Sequence, residues 1–426
     1  MTSFFEELQW RGLVQQCTHK DELREKLNSS SLTLYCGFDP TAESLHVGNL
    51  IPLISLVRFQ RAGHRALALV GGATGLIGDP SGKSAERVLQ SEDQVKDRAA
   101  RVGKQLSHFI DTTDEAKGKV VNNLEWTESI SMLSFLRDIG KHFSVPAMLA
   151  RDSVKSRLDR EGEGISFTEF SYMLLQSFDF HELARLHGCS LQIGGSDQWG
   201  NMVSGADLIR RKLGKEAFAL TFPLLTTQDG KKFGKSEKGA IWLDSAMTNA
   251  WDFYQFWLNT ADADVVRLLK LFTFLDRETI EALEAEVVSN PAGRAAQRKL
   301  AAEMTTMVHG SDATTDIEAA AAVLFGRGDV TQLSAGAFKC LAEALPSIEV
   351  STADVEQLTA AGLVHKAGLE ASMTKASEVC RSGGVTVNGV KVTDPKSQVA
   401  AIAPLHSIGW LVKKGKKTFA VAKLAS

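Results

Sequence analysis

Residues 32–64 read LTLYCGFDPTAESLHVGNLIPLISLVRFQRAGH, and this stretch decides the fold. It opens with a short apolar run of strand length, 32–36, which breaks at Gly37. Across 45–59 the apolar residues recur mostly every three to four positions, which is typical of a helix with one buried face. Residues 65–70 are a second apolar run that opens into glycines. Strand, helix and strand in succession predict a βαβ unit, and such units form parallel sheets with sites at the carboxyl ends of the strands.

The predicted helix begins at His46-Val47-Gly48-Asn49, shortly after the first strand. A helix N-terminus carries free N–H groups and partial positive charge, so it suits a phosphate. Gly48 leaves room for a ligand to approach the backbone, while His46 and Asn49 lie three positions apart and share a face. The alternative is a surface histidine beside a packing glycine.

Length and composition bound the class of protein. A chain of 426 residues favours about three domains, and 44% hydrophobic with 23% charged residues fits an ordinary globular protein. No apolar run approaches ~18 residues, so no membrane span is expected, and the early acidic residues argue against a signal peptide. Five cysteines without a C-x-x-C pair exclude a sequence-evident zinc site and favour a reducing compartment.

The net charge of −3 hides an asymmetry. Residues 366–426 contain ten Lys or Arg and three Asp or Glu, a net charge of +7 that leaves −10 on the remainder. An acidic body with a basic C-terminal module indicates that the module binds a polyanion. A solvated lysine-rich tail is the alternative.

Polar side chains also follow two later predicted strands. The loop 71–83 holds five glycines, which allow close backbone approach to a ligand. The strand 191–195 runs into Asp197 and Gln198, and acids at such positions often hold a ribose hydroxyl. Alternatively, Ser196 or Asp197 only caps the following helix.

Two further segments favour a binding site. The helix predicted from Phe167 carries a stripe of polar residues, which are Thr168, Tyr172, Gln176 and Asp179. The loop 226–237, after a predicted strand at 218–225, places three lysines close together, which suits a mobile phosphate clamp. Ordinary amphipathicity and a solvated loop are the respective alternatives.

The last third of the chain predicts helices and then a hairpin. Residues 244–345 are helical in pattern, and Pro346 with the polar turn after it marks a linker. Asn388-Gly389 between alternating strands is a strong signal for a two-residue hairpin turn.

These motifs together resemble a known family. His46-Val47-Gly48-Asn49 and 232–236, KFGKS, are similar to the HIGH and KMSKS signatures of class I aminoacyl-tRNA synthetases. The longer words YCGFDPTAESLHVGN, GGATGLIGDPSGK, FSYMLLQSFD and QIGGSDQWGN resemble the bacterial-type tyrosyl-tRNA synthetases in order and spacing, and 360–410 is similar to their S4-type RNA-binding domain. Two departures are Asn49, where many relatives have histidine, and Phe-Gly in place of Met-Ser in the lysine loop.

The resemblance implies an α/β fold: a Rossmann-like parallel-sheet catalytic domain, an all-α domain and a small α+β S4-like RNA-binding domain. Its implied bounds are 1–225 for the catalytic domain, with an inserted dimer-interface segment at about 120–160; 226–243 for the mobile KFGKS loop; 244–345 for the helical anticodon-binding domain; and 346–426 for the linker and S4-like domain.

The implied activity is that of a tyrosine–tRNA ligase. L-Tyrosine and ATP form tyrosyl-adenylate and pyrophosphate, and the tyrosyl group passes to the 3′-terminal adenosine of tRNA(Tyr). The resemblance further implies a cytoplasmic homodimer with no membrane contact, and Mg²⁺ on the ATP phosphates without a metal site in the protein.

The site residues carried over by resemblance form three groups. The donors that meet phosphate charge are His46, Asn49, Lys83, Arg87, Lys232 and Lys235. The tyrosine-binding group comprises Tyr35 and Asp179 at the phenol, Asp79, Tyr172 and Gln176 at the ammonium, and Gln198 near the carboxyl. The ATP-binding group is Asp39, Thr41, His46, Gly48, Gly195, Asp197, Lys232, Lys235 and Ser236.

Two other functions stay open at this point. An HxGH-type nucleotidylyltransferase of a small cofactor would share the first motif but not the basic terminal module. A synthetase-derived, non-catalytic RNA-binding protein would not need the histidine and the lysines. Tyrosine-dependent ATP–pyrophosphate exchange distinguishes all three.

Overall fold

The computed structural model describes most of the chain, in two compact units. The described residues are 3–81, 89–151, 154–155, 158, 164–225, 233–236 and 239–425, with the backbone alone at 235–236. The first, here called the sheet unit, comprises Met1–Asp244 and Asp262–Val288, and the second, the C-terminal unit, comprises Ser245–Ala261 and Ser289–Ser426.

The sheet unit is built on a six-stranded sheet of order β1-β6-β5-β2-β3-β4. The pairs β6-β5, β5-β2, β2-β3 and β3-β4 are parallel, and only the two-residue β1 runs antiparallel to β6. The predicted parallel sheet is therefore confirmed. Its strands are β1 Gln16–Cys17, β2 Thr33–Phe38, β3 Arg65–Val70, β4 Gly118–Asn122, β5 Cys189–Gly195 and β6 Phe218–Phe222.

This strand order creates a crevice between β2 and β5. From β2 the chain adds β3 and then β4 along one edge of β2. It then returns, so that β5 pairs with the opposite edge of β2. At such a reversal the two flanking connections leave in opposite directions, which opens a cleft at the carboxyl ends of the strands.

Helices cover both faces of this sheet, and the helix predicted after β2 is the most buried of the early ones. In α3 the apolar positions 50, 51, 53, 54, 56 and 59 are buried, and Gly63, with φ 92°, follows its C-terminus in a left-handed conformation. The helices of this unit are α1 Phe4–Trp10, α2 Lys20–Ser29, α3 Leu50–Arg61, α4 Thr74–Ile77, α5 Glu92–Phe109, α6 Leu124–Thr127, α7 Met132–Asp138, α8 Val145–Leu149, α9 Phe167–His187, α10 Trp199–Leu213, and, later in the chain, α12 Asp262–Phe272 and α13 Arg277–Ser289, whose last residue the unit boundary leaves out.

Two stretches differ from the sequence prediction. The polar segment 144–166, with its basic residues and its glycines at 162 and 164, predicts a loop. The structure instead has α8 within it, with Pro146 in the first turn, where the missing N–H costs no helical hydrogen bond. The sequence also groups all helices of 244–345 together, whereas α12 and α13 belong to the sheet unit. Among the described residues, no helix is long and apolar enough to cross a membrane.

The C-terminal unit combines helices with a second sheet of order β11-β10-β12-β13-β9. Its helices are α11 Ala250–Leu258, α14 Ala295–His309, α15 Ser311–Leu324, α16 Ala335–Ala344, α17 Thr352–Val355, α18 Ala360–Lys366 and α19 Met373–Arg381. Its strands are β9 Ser347–Val350, β10 Val385–Val387, β11 Val390–Val392, β12 Gly409–Lys414 and β13 Thr418–Leu424.

The sheet unit also contains a separate two-stranded ribbon, formed by β7 Lys235–Ser236 and β8 Gly239–Ala240.

The predicted hairpin joins β10 and β11. Asn388 and Gly389 form its turn with φ angles of 48° and 82°, which is the pair of positive φ angles that a type I′ turn requires. The Asn388 side chain also accepts a hydrogen bond from the Leu411 N–H (2.8 Å) and donates one to the Ala403 carbonyl (3.0 Å), so it ties the hairpin to the rest of the module.

The C-terminal sheet shares a core with the helices before it. Phe338 and Leu341 of α16 pack in one apolar cluster with Leu411, Phe419 and Val421 of β12 and β13. The segment after Pro346, expected as a linker, is strand β9, which pairs in parallel with β13. The prediction failed because the partner strand lies far along the chain and no local pattern signals the pairing.

Candidate active site

Polar side chains collect at the carboxyl ends of β2, β3, β4 and β5. Asp39 follows β2, Thr74 follows β3, Asn123 follows β4 and Gln198 follows β5. Because parallel strands end at the same edge of the sheet, these residues converge on the crevice beside the reversal of strand order.

The turn His46–Asn49 begins the helix, as the sequence predicts, but its glycine serves a different purpose. His46 is the N-cap of a 3₁₀ turn, Val47–Asn49, that leads into α3, and its Nδ1 accepts a hydrogen bond of 2.9 Å from the Gly48 N–H. The Asn49 Oδ1 accepts in return from the His46 N–H (3.0 Å). A Cβ at Gly48 would lie 2.7 Å from the imidazole Cε1. Gly48 therefore makes room for the histidine ring, and one N–H expected to face a ligand is held by that ring.

This bond fixes the histidine chemically. Because Nδ1 accepts a hydrogen bond from the Gly48 N–H, the ring proton of a neutral imidazole resides on Nε2. The edge of Trp242 also lies against the ring, with 6.0 Å between centroids. The arrangement presents an oriented donor at the start of α3.

The lysine loop returns to this same turn. The Gly234 carbonyl accepts from the Ile241 N–H (3.1 Å), and the Ile241 carbonyl accepts from the Val47 N–H (2.9 Å). A Cβ on Gly234 would lie 3.3 Å from the Gly48 nitrogen. The backbone of Lys235 and Ser236, in β7, follows directly. Lys83, Arg87 and Lys232 lie outside the described residues, as do the side chains of Lys235 and Ser236.

The sheet unit buries a phenol within electrostatic range of a buried carboxylate. Tyr35, in β2, is 1% exposed, and its hydroxyl makes no hydrogen bond to any residue that the structure describes. Asp179, in α9, is 2% exposed. Burial and the charge of Asp179 raise the pKa of the Tyr35 phenol well above its usual value. A buried hydroxyl without a partner beside a carboxylate is unusual in a folded protein, and it indicates a place for a polar group of a ligand.

Two donors hold the Asp179 carboxylate. The Asn123 Nδ2 donates to one of its oxygens (2.9 Å) and the Trp126 Nε1 donates to the other (2.8 Å). Burial nevertheless dominates and raises the pKa of Asp179 to about 7. The carboxylate is thus oriented by fixed donors and titrates close to neutral pH.

A chain of hydrogen bonds connects Asp179 to Asp39, the carboxylate that follows β2. Asn123 also donates to the Thr74 hydroxyl (3.0 Å), Thr74 donates to Asp39 (2.6 Å), and the Tyr172 hydroxyl donates to the second Asp39 oxygen (2.7 Å). Gly71 permits this approach, because a Cβ there would lie 2.0 Å from Asp39 Oδ1. One network therefore spans the predicted tyrosine and ATP regions.

Three carboxylates surround Tyr172. Burial, followed by the negative charges of Asp39, Asp79 and Asp179, raises the pKa of its phenol well above the usual value. The Gln198 amide donates to Asp79 at 2.5 Å. Carboxylates that lie close together favour a positive charge nearby, so this part of the crevice suits a cation.

The other predicted residues line the same edge. The Asn201 amide donates to the Gln176 oxygen (2.9 Å) and to the Gln198 oxygen (3.3 Å). Thr41 is exposed, and its N–H donates to the Asp39 carbonyl (2.8 Å). Gly195, rather than Ser196 or Asp197, is the N-cap of the turn after β5, and a Cβ on it would lie 2.5 Å from an oxygen of the exposed Asp197.

Sequence reasoning missed four contributors to the site, which are Thr74, Asn123, Trp126 and Gln192. Asn123 directly follows β4 Gly118–Asn122, and a polar residue at the end of an apolar run is a signal that could have found it. Gln192 pairs with Tyr35 across β2 and β5, and its buried Oε1 makes no hydrogen bond to a described residue. An amide inside an apolar strand is the signal that marked it.

Comparisons with known proteins identify the family of the chain. The family described as tRNA synthetases class I (W and Y) matches residues 27–326, and the tyrosine–tRNA ligase SYY-like C-terminal domain matches residues 337–422. A tyrosine–tRNA ligase of Nocardia farcinica is 51% identical over 97% of both chains, and one of Geobacillus kaustophilus is 48% identical over 98% of this chain and 99% of its own.

A solved structure gives the same answer for the fold. A C-terminally truncated mitochondrial tyrosyl-tRNA synthetase of Aspergillus nidulans superposes with a TM-score of 0.68 at 32% identity, over 76% of this chain and 95% of its own. The matched segments and the near-complete coverage of the relatives leave one assignment: this chain belongs to the tyrosine–tRNA ligases of the class I aminoacyl-tRNA synthetase family.

Proposed function

We propose that this chain joins L-tyrosine to tRNA(Tyr) in two steps at the crevice between β2 and β5. The tyrosine carboxylate attacks the α-phosphorus of ATP, the bond to the β-phosphate oxygen breaks, and pyrophosphate leaves. The tyrosyl group of the adenylate then passes to a ribose hydroxyl of the 3′-terminal adenosine, and AMP leaves. The observation that carries the amino-acid choice is the buried Tyr35 hydroxyl, unpartnered among the described residues, beside Asp179.

Tyr35 and Asp179 would bind the substrate phenol. The substrate hydroxyl donates to the Asp179 carboxylate and pairs with the Tyr35 hydroxyl, so both buried groups are satisfied only when a hydroxyl is present. Phenylalanine leaves them unpaired. A site of this kind can reject phenylalanine relative to tyrosine by about five orders of magnitude without editing, which is the value known for this same enzyme family.

The acidic surroundings of Tyr172 would bind the substrate ammonium. Asp79 would supply a negative charge, with Tyr172 and Gln176 as neutral acceptors, and Gln198 holds Asp79 in place through their 2.5 Å hydrogen bond. The tyrosine is then fixed at both ends, which directs its carboxylate toward the start of α3.

Adenylate formation would rely on positioning and on donors, because a carboxylate is already a nucleophile and needs no general base. His46, Asn49 and the α3 N-terminus would lie on one side of the reacting phosphate, and Lys232 and Lys235 are proposed as donors from the loop that contains Gly234. Lys83 and Arg87 are proposed as further donors. Asp39, Thr41, Gly195 and Asp197 would line the adenosine.

Mg²⁺ would enter with ATP, as part of the substrate. The described residues contain no group of three or more His, Cys, Asp or Glu side chains placed to hold a metal ion. The ion prefers phosphate oxygens and water to an all-protein cage, so no step is assigned to a metal held by the protein.

The test is ATP–pyrophosphate exchange with tyrosine and with phenylalanine. Tyrosine should support exchange in the wild-type enzyme, and Tyr35→Phe should lower the ratio of kcat/KM for tyrosine over phenylalanine about tenfold, the usual worth of one buried hydrogen bond. Tyr254→Phe is the matched control, because Tyr254 is also a buried tyrosine (3% exposed) but lies on α11 in the other unit. Exchange without tyrosine dependence, or equal ratios in the wild-type enzyme and Tyr35→Phe, would refute the pocket assignment.

The C-terminal unit would bind the tRNA. We assign anticodon binding to the helices of 244–345 that lie in this unit, and phosphate contacts to the module after 346. Lys416 and Lys417 are exposed at the β12–β13 turn, whereas Lys414 is held internally by the Leu369 carbonyl (2.6 Å) and Glu370 (2.9 Å). Only part of the lysine cluster is therefore available to RNA.

A homodimer is proposed from an exposed apolar face on the sheet unit. Its members lie in or next to α7, α8 and α9 and are 42–77% exposed: Met132, Leu133, Leu136, Val145, Leu149 and Phe167. Large apolar side chains grouped in this way indicate a protein contact, and this face overlaps the segment 120–160 that the resemblance assigns to the dimer interface.

Sedimentation velocity tests the dimer. Leu133→Glu should give a monomer, because a charge buried at an apolar interface is costly. Leu186→Glu is the control, since Leu186 is an exposed leucine (49%) of α9 outside this face. A monomeric wild-type protein would contradict the proposal.

The cytoplasm is the proposed location, consistent with five cysteines that are all free thiols.

A further inference from the structure

An aromatic pair joins the lysine loop to α12. The Phe233 ring stacks on the Phe272 ring, with 5.8 Å between centroids and 25° between planes. Phe272 is fully buried at the last position of α12, whereas Phe233 is half-buried. Phe233 directly precedes Gly234, whose carbonyl belongs to the hydrogen-bonded path to Val47.

The end of α12 that bears Phe272 is held rigidly. Arg11 donates to the carbonyls of Lys270 (3.0 Å), Thr273 (3.1 Å) and Leu275 (2.5 Å). Arg58, in the last turn of α3, donates to Thr273 (2.8 Å) and Leu271 (3.3 Å). Cations at a helix C-terminus satisfy its free carbonyls and its dipole. The end of α12 that carries Phe272 is therefore bound to the C-terminal turn of α3, the helix whose N-terminus follows the His46 turn.

Residues 233 and 234 are thus held from two sides. Phe233 rests on Phe272, and Gly234, with φ 89°, turns the backbone so that it runs against Val47 and Gly48. Lys235 is the next residue, and its backbone begins β7. A shift of the Phe233 ring would move the Lys235 backbone relative to the histidine turn.

We propose that Phe272 and Phe233 are positioning residues for tyrosine activation, and that their stacked pair sets where the lysine loop lies against the His46 turn. Neither ring touches substrate; they act through the backbone of Gly234 and Lys235. The inference rests on the proposed role of the loop lysines at the ATP phosphates.

The test compares the variants Phe233→Leu and Phe272→Leu, singly and together, in ATP–pyrophosphate exchange. Each single variant should lower kcat about fivefold, the typical worth of one aromatic pair, and leave the KM for tyrosine unchanged. The double variant should lose no more than a single one, because both changes remove the same contact. Phe233 is half-buried, so Phe233→Leu keeps the test valid if Phe272→Leu fails to fold.

Phe4→Leu is the matched control. Phe4, on α1, is also half-buried and packs on a fully buried phenylalanine, Phe59, at 4.9 Å between centroids. It should keep the wild-type kcat. An unchanged kcat in Phe233→Leu, or single losses that multiply to about 25-fold in the double variant, would overturn the proposal.

A separate Lys235→Ala variant distinguishes the proposed role of Lys235 from the proposed role of the aromatic pair. If Lys235→Ala slows adenylate formation and Phe233→Leu does not, the positioning role of the aromatic pair is refuted and the role of Lys235 stands. If Lys235→Ala activates tyrosine at the normal rate, the lysine role fails and the positioning proposal fails with it.

Discussion

Tyrosine binding should weaken as the pH falls from 8 to 6, and Asp179 is the reason. Its carboxylate is buried, accepts from Asn123 and Trp126, and has its pKa raised to about 7 by burial. The ionised form accepts the substrate hydroxyl in a charge-assisted hydrogen bond. Since an acid with a raised pKa takes up its proton as the pH falls through that value, the strong acceptor is present above pH 7 and is lost below it.

The size of the effect follows from the same pKa. One pH unit below it, about one molecule in eleven remains ionised, and one pKa unit corresponds to about 1.4 kcal/mol. A hydrogen bond to a charged group exceeds one between neutral groups by about 1–1.5 kcal/mol. Both routes give an affinity about tenfold lower at pH 6 than at pH 8.

Equilibrium dialysis with labelled tyrosine, in the absence of ATP, measures this directly. Asp179→Asn has nearly the same shape and does not titrate, so it should bind more weakly at pH 8 and show no tenfold drop. His181→Asn, a change at another buried polar residue two positions along α9, is the control and should retain the drop. Equal affinity of the wild-type enzyme at both pH values, or the same drop in Asp179→Asn, would refute the reasoning.

Three further outcomes are expected. Gly48→Ala places a Cβ 2.7 Å from the histidine ring and should lower kcat of exchange at least about tenfold by displacing that donor; a normal kcat would show that the ring position does not matter. Asn123→Ala removes one of the two donors to Asp179 and should move the midpoint of the tyrosine-binding pH profile above that of the wild type; an unmoved midpoint would contradict this. Lys416→Gln with Lys417→Gln should reduce the slope of log affinity for tRNA against log salt by about 1 to 2 and spare exchange; an unchanged slope would exclude both lysines from phosphate contact.

Local patterns predicted the architecture well. The βαβ start, the parallel sheet, the helical region and the Asn388-Gly389 hairpin were all readable, because each depends on residues close together in sequence. Strand β9 was not, since its hydrogen bonds go to β13 and a polar turn after Pro346 looks like a linker.

The site was predictable in part, and for similar reasons. Motifs supplied Tyr35, Asp179 and the histidine turn, whose roles remain proposals. The Asp39–Thr74–Asn123–Asp179 network was not foreseen, because its members follow three different strands or lie in α9 and only the folded sheet brings them together. The purpose of Gly48 was also hidden, since it depends on the rotamer of its own neighbour.

The pairing of β9 with β13 has a consequence for how the protein is made. A ribosome releases α14–α16 well before the last strand emerges, so Phe338 and Leu341 wait uncovered until Phe419 and Val421 arrive. Chains that lack β13 expose these apolar side chains, which chaperones and proteases recognise. β13 must therefore be synthesised before these two parts of the chain can form their shared apolar cluster.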